Sequence, residues 1–372
     1  MGCRTRYGRD SKTPAWDRLV RSNVEFTSLG ATLRGWLFEP SITPAPAVVM
    51  AHGFSATRHM TIDKYAEAFW SAGFAVLLYD HRGFGASDGH PEREVNPWIQ
   101  TRGYLDAMDF MMSLSQVDKT RIAVWGDSFS ASCACVAATI DHRIQAVVAQ
   151  VPAFGETLPP ADPDGTKFRA VQHAVRSPDV MNFGRPVSGP MAVVSPDQVR
   201  HPSALKPLSA FRWFTEYGGR IGSGWVNDVT LAIGENPVPW LPGLCGPELR
   251  TPVLMIVSPE EEMLRANPSV SRAVFDTISA PKEWHAIGGG HFGLLYHPSK
   301  LFAEAASVQV SFLGRSILAH SPAMGRANSK KSDGQGHALR AESGSARLER
   351  TMDEPKEFVN SGELRTGMAV GT

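Results

Sequence analysis

The chain of 372 residues has no excess of charge: Lys+Arg and Asp+Glu each number 37, so the formal net charge is zero. Without a basic face or an acidic run, neither nucleic acid nor an anionic membrane is expected as a partner. Cysteine is scarce, with only Cys3, Cys133, Cys135 and Cys245. Cys133 and Cys135 stand two apart in a segment of helical character, so their side chains diverge and suit neither a disulfide nor a metal pair. Idle thiols of a reducing compartment are the expectation, which makes the cytoplasm the default location. No apolar run approaches the roughly eighteen residues a membrane helix needs, and the polar, basic start from Met1 to Thr13 has no apolar signal core. It opens Met-Gly, but Arg6 stands where a myristoylation signal wants Ser or Thr. Internal repeats are also lacking. Hydrophobic residues at 42% and charged residues at 20% are ordinary globular values, and the length allows a large core.

What is present is an alternation of strand-like and helix-like segments. Val24 to Phe38 alternates around a turn at Leu29-Gly30-Ala31 and predicts a hairpin. Ala47–Met50, Phe74–Tyr79, Arg121–Trp125, Ile144–Val151, Pro252–Val257 and residues 282–287 read as strands. Helical spacing falls between them at 61–72, 98–115, 128–139, 264–277 and 299–314. The strands are continuous apolar runs rather than strict alternations. That pattern predicts an α/β fold, a mostly parallel central sheet with helices on both faces. Between about 153 and 248 the rhythm breaks into Pro- and Gly-rich sequence with scattered aromatics, too long for one loop. It reads as an inserted cap. The expected organisation is a flexible leader 1–21, a core 22–152, the cap 153–248, the rest of the core 249–316, and a Ser-, Gly-, Arg- and Glu-rich disordered tail 317–372.

The chemistry collects at three loops. In Trp125-Gly126-Asp127-Ser128-Phe129-Ser130 a strand ends and a helix begins within two residues, which pushes Ser128 into a strained, exposed position. Small flanks are a steric need there: Gly126 meets it fully, and Ser130 approximately, where glycine is usual. A plain helix-capping serine is the alternative for Ser128. An oxyanion at that point needs two N–H donors, expected from Phe129, just after the nucleophile, and from Phe54, in the loop after an earlier strand. His52 reads as a brace for that loop. The glycine run Gly288-Gly289-Gly290 lets the backbone carry His291 to the same sheet edge, as general base. Its rivals are less apt, since His285 lies inside a strand and His297 opens a helix. A carboxylate after the strand ending at Val257 would orient the imidazole, and Glu260, Glu261 and Glu262 all offer one. The chain order Ser, acid, His is the order a hydrolase sheet uses.

The segments His52-Gly53-Phe54, Asp80 to Gly89, Gly126-Asp127-Ser128-Phe129-Ser130, Pro252–Val257 and Gly289-Gly290-His291-Phe292 resemble the α/β-hydrolase superfamily. Over roughly 22–315 the chain is similar to its dienelactone-hydrolase-like and acyl-peptidase-like group, which includes fungal polyketide transferases and thiohydrolases. The resemblance implies the α/β-hydrolase fold, Ser128 as nucleophile and His291 as base. It also implies Glu261 as the acid, where the family usually has Asp. Asp80 and Arg82 then brace the sheet edge, and Asp127 is a solvated or mouth residue rather than a catalyst. The expected activity is cleavage or transfer of an acyl group from a small-molecule ester or thioester through an acyl-enzyme, with no metal or organic cofactor. Peptidase chemistry, a hydrolase-fold binding protein that has lost catalysis, and a homodimer stay open.

Overall fold

The computed structural model describes residues 21–183, 187–232 and 238–318. The expected leader except Arg21, the expected tail beyond Leu318, and Cys3 lie outside the described residues. The strands, in chain order, are β1 (Arg21–Ser28), β2 (Ala31–Phe38), β3 (Ala45–Ala51), β4 (Ala75–Tyr79), β5 (Glu94–Val95), β6 (Val117–Asp127), β7 (Ile144–Gln150), β8 (Val187–Met191), β9 (Val229–Ala232), β10 (Val253–Val257) and β11 (Lys282–Ala286). The helices are α1 (Ile62–Ser71), α2 (Pro97–Ser113), α3 (Phe129–Ile140), α4 (Thr166–Arg176), α5 (Leu208–Trp213), α6 (Pro268–Thr277), the single turn α7 (Gly290–Gly293), and α8 (Lys300–Leu313). Among the described residues the main sheet has eight strands in the order β1-β2-β4-β3-β6-β7-β10-β11. The β1–β2 hairpin and its junction with β4 are antiparallel. Every later pair is parallel.

Burial on both faces explains the unbroken apolar runs. Along β3, Ala47, Val49 and Ala51 enter one core cluster, while Val48 and Met50 enter the other. Alternate side chains of a strand point to opposite faces, so a strand covered on both sides has no polar face to show. The first cluster holds Trp98, Tyr104 and Met108 of α2 with Phe168 of α4 and Val274 of α6. The second holds Tyr65 and Phe69 of α1 with Phe302 and Phe312 of α8. Helix starts follow local chemistry. Asn96, Asn267 and Ser299 cap α2, α6 and α8 by accepting from the amides of Ile99, Ser269 and Phe302, and Pro97 and Pro268 occupy first-turn positions.

The stretch between β7 and β10 supplies α4, α5, β8 and β9. Its two strands join β5 in a small sheet of order β5-β9-β8, an arrangement with no signal in the sequence because β5 is two residues long. The aromatics of this stretch divide by use. Phe183 and Trp240 pack on Trp98 of the core, whereas Trp213 and Phe214 of α5 and the turn after it pack over Phe292.

A polar bolt crosses the core beneath the C-terminal sheet edge. Trp125 Nε1 donates to Gln309 Oε1 at 2.7 Å, and Gln309 Nε2 donates to Gln150 Oε1 at 2.7 Å. Both glutamines are fully buried, so each partner left unpaired carries its whole desolvation cost. Gln309→Ala is expected to lower unfolding free energy by about 2–4 kcal/mol. Urea denaturation followed by tryptophan fluorescence reads this directly, and a change under about 1 kcal/mol would show that the bolt carries little.

Candidate active site

Strand β6 stops and α3 starts within one residue. Ser128, between them, has φ 54° and ψ −117°, outside the wells that L-residues ordinarily occupy. The surroundings hold it there: its amide donates to Gln150 O at 2.8 Å, and its carbonyl accepts from Ala153 N at 3.0 Å and Ala131 N at 3.2 Å. A Cβ on Gly126 would come within 2.4 Å of the Ser130 carbonyl group, so the turn closes only over glycine. Ser130 is more than a tolerated small flank. Its hydroxyl donates to His52 O in a short hydrogen bond and lies 2.9 Å from His81 Nε2, tying the serine turn to the loop after β3. His52 completes the brace by accepting from His81 N at 3.1 Å. Burial pushes both imidazoles below the usual histidine range, His81 furthest. They work as neutral struts.

The histidine loop is held by the run of three glutamates, each with a different task. Glu261 lies 2.8 Å (Oε1) and 2.9 Å (Oε2) from His291 Nδ1, and the two side chains are 2% and 3% exposed. Glu262 Oε2 accepts the His291 amide at 2.7 Å, while its Oε1 accepts from Ser209 Oγ of α5 at 2.5 Å. Glu260 Oε2 accepts the Gly289 amide at 3.2 Å. Ser258 Oγ takes the Gly290 amide at 2.9 Å. Of the rival histidines, His285 sits in β11 with its Nε2 3.7 Å from the Glu283 carboxylate. His297 precedes α8 by three residues rather than opening it, and its amide donates to the Tyr217 hydroxyl.

Ser128, His291, Phe54 and Gly53 line one narrow pocket of about 30 Å³, roofed by Trp213, Phe214, Leu205 and Met263. Phe54 and Phe129 meet edge to face at 6.3 Å. Phe129 is the first residue of α3, so its amide has no acceptor within the helix. Among the described residues the Phe54 amide donates to no backbone carbonyl. No group of three or more His, Cys, Asp or Glu among the described residues is arranged to hold a metal ion.

Asp80 braces the sheet edge with Arg58: it accepts the Arg58 amide at 2.8 Å, pairs with its guanidinium, and takes the Ala86 amide at 3.0 Å. Arg82 donates to His90 O at 2.9 Å. One expectation from sequence is corrected here. Asp127, expected to be solvated or at the mouth, is 3% exposed and lines the pocket. The loop after β3 packs on its carboxyl at Gly53, and the pocket it lines is covered by Trp213, Phe214 and Met263.

Burial raises the Asp127 carboxyl to about 7, with the His291 charge and the Gly53 amide pulling the other way. Asp127 therefore binds its proton more tightly folded than unfolded. The stability this lends is whole below about pH 4 and is lost as pH rises through about 7. Asp127→Asn cannot ionise and should flatten that limb, so the thermal midpoint of wild type relative to the variant should fall between pH 5 and pH 8. A constant difference across that range would mean burial does not hold the proton on.

Comparison with known proteins follows the same lines. A family model for the alpha/beta hydrolase fold matches residues 46–172. The chain is 32% identical over 289 residues to a thiohydrolase of Eupenicillium brefeldianum, covering 76% of this chain and 91% of that protein. It is 33% identical over 279 residues to the polyketide transferase af380 of Aspergillus fumigatus, covering 74% and 92%. The crystal structure of the alpha/beta hydrolase GrgF from Penicillium sp. sh18 superposes with a TM-score of 0.63 at 27% identity, over 81% of this chain and 100% of that one.

Proposed function

This chain belongs to the α/β-hydrolase family, and from that membership we propose that it cleaves or transfers an acyl group carried on a small-molecule ester or thioester, with Ser128 as nucleophile. The observation that carries the reading is the buried Glu261–His291 contact at 2.8 Å, in a loop whose imidazole lines the same pocket as Ser128. A carboxylate on Nδ1 fixes the tautomer that leaves Nε2 free to take the serine proton, and it stabilises the imidazolium that results. The Ser128 oxygen then attacks the acyl carbon. The tetrahedral oxyanion is received by the amides of Phe129 and Phe54, each such donor being worth about 3–4 kcal/mol of barrier. Collapse expels the thiol or alcohol, which takes the proton from His291, and an acyl-enzyme remains.

Support for an apolar acyl group comes from the pocket roof, Trp213, Phe214, Leu205 and Met263. The present volume of about 30 Å³ holds a water or two, so an acyl chain enters only if the α5 roof shifts. The relatives named thiohydrolase and polyketide transferase favour thioesters of polyketides as the natural class. Three buried free thiols, Cys133, Cys135 and Cys245, suit a reducing cytoplasm.

A fluorophosphonate probe should label the wild-type protein and fail to label Ser128→Ala. Absence of labelling in a folded wild type would replace the enzyme reading with a binding-protein one. On p-nitrophenyl esters, Glu261→Gln should cost about a hundredfold or more in kcat, and Glu260→Gln or Glu262→Gln clearly less. Equal losses at the three positions would remove Glu261 from its role.

A further inference from the structure

Beneath the loop after β3 lies a closed ring of hydrogen bonds in which every hydrogen can be placed. The Ser130 hydroxyl has a single hydrogen, and it goes to His52 O. Ser130 Oγ can therefore only accept from His81 Nε2, 2.9 Å away, which puts the hydrogen of that neutral ring on Nε2. His81 Nδ1 is buried and has no partner among the described residues, as a bare lone pair would be. The His81 amide donates to His52 Nε2 at 3.1 Å. The neutral His52 ring thus carries its hydrogen on Nδ1, and it donates that hydrogen to Gly53 O at 2.9 Å.

The last bond of this chain orients a peptide. Gly53 O is also approached by the Ala56 amide, at 3.4 Å. The Gly53–Phe54 bond is trans, and in a trans peptide the carbonyl and the following N–H point in opposite directions. With Gly53 O turned to the His52 ring, the Phe54 N–H is turned away from it. That ring packs on His81 and Phe84, with centroids 4.8 Å and 5.4 Å apart. It takes no part in lining the pocket, whereas Gly53, Phe54 and Ser128 all do. The Phe54 amide donates to no backbone carbonyl among the described residues, so it is open to a ligand.

We propose that Ser130 is a positioning residue for the reaction: through His81 and His52 its hydroxyl fixes the plane of the Gly53–Phe54 peptide and so aims the Phe54 amide at the oxyanion. This rests on the serine mechanism above. Without that hydroxyl, His52 O and His81 Nε2 both lose a buried partner, His81 is free to carry its hydrogen on either nitrogen, and the peptide loses its bearing. Charge develops on the carbonyl oxygen only as Ser128 attacks, so the loss falls on turnover and not on substrate binding.

The test compares wild type with Ser130→Ala on p-nitrophenyl hexanoate and on a hexyl trifluoromethyl ketone. The ketone mimics the intermediate: Ser128 Oγ bonds to its carbonyl carbon, the serine proton passes to His291, and the carbonyl oxygen becomes an oxyanion. Ser130→Ala should lower kcat by about 10- to 100-fold, with KM within about threefold of wild type. Its Ki for the ketone should rise by about the same factor as kcat falls. A merely structural role would lower the amount of folded enzyme and leave Ki as it is. A fall in kcat of less than about threefold, or an unchanged Ki, overturns the proposal. If Ser130→Ala does not fold, the wild-type tautomers decide. Long-range ¹H–¹⁵N spectra at neutral pH should show His52 protonated on Nδ1 and His81 on Nε2, and any other pattern overturns the proposal. No p-nitrophenol release from wild type would instead count against the serine mechanism, and the proposal would go with it.

Discussion

Everything at the sheet edge answers to one steric constraint, that β6 must end and α3 begin across a single residue with positive φ. A non-glycine residue in that region costs of order 1–3 kcal/mol and persists only where its surroundings over-determine it. Here they do. The Gln150 carbonyl accepts the Ser128 amide, the Ala153 and Ala131 amides donate to the Ser128 carbonyl, and Gly126 leaves room for the crossing. Ser130 then fastens the turn to His52. The two loops expected to receive an oxyanion are therefore one braced body rather than two separately mobile ones.

The histidine loop is secured by different means. Instead of strain, it relies on four acceptors at the end of β10: Ser258, Glu260, Glu261 and Glu262. Adjacent carboxylates repel one another, and a run of three would ordinarily be read as a solvated surface patch. Here each is given its own donor from residues 289–291, and one is shared with α5 through Ser209. Such charge-assisted bonds are short and directional, and they fix the orientation of the His291 ring.

Much of this was legible in the sequence because the signals were local. The parallel sheet showed in apolar runs such as Ala47–Met50, and Ser128 and His291 showed in strand–turn–helix and glycine-run contexts that need no tertiary knowledge. Glu261 could be separated from Glu260 and Glu262 only by resemblance, because which of three neighbours faces an imidazole depends on backbone direction after Val257. Asp127 was misread because charge was weighed without tertiary packing. The loop after β3, which meets its carboxyl at Gly53, and the aromatic residues over the pocket bury it. The small sheet that ties Glu94–Val95 to β9 was invisible, two residues being too few to carry a period.

The hydrogen bond from Ser209 to Glu262 has a mechanical consequence. The same carboxylate grips the roof helix with one oxygen and the His291 backbone with the other. Displacing α5 therefore loads the backbone that carries the imidazole, and whatever coupling joins the two acts in both directions. The roof helix and the imidazole-bearing loop are, in this protein, two ends of a single latch.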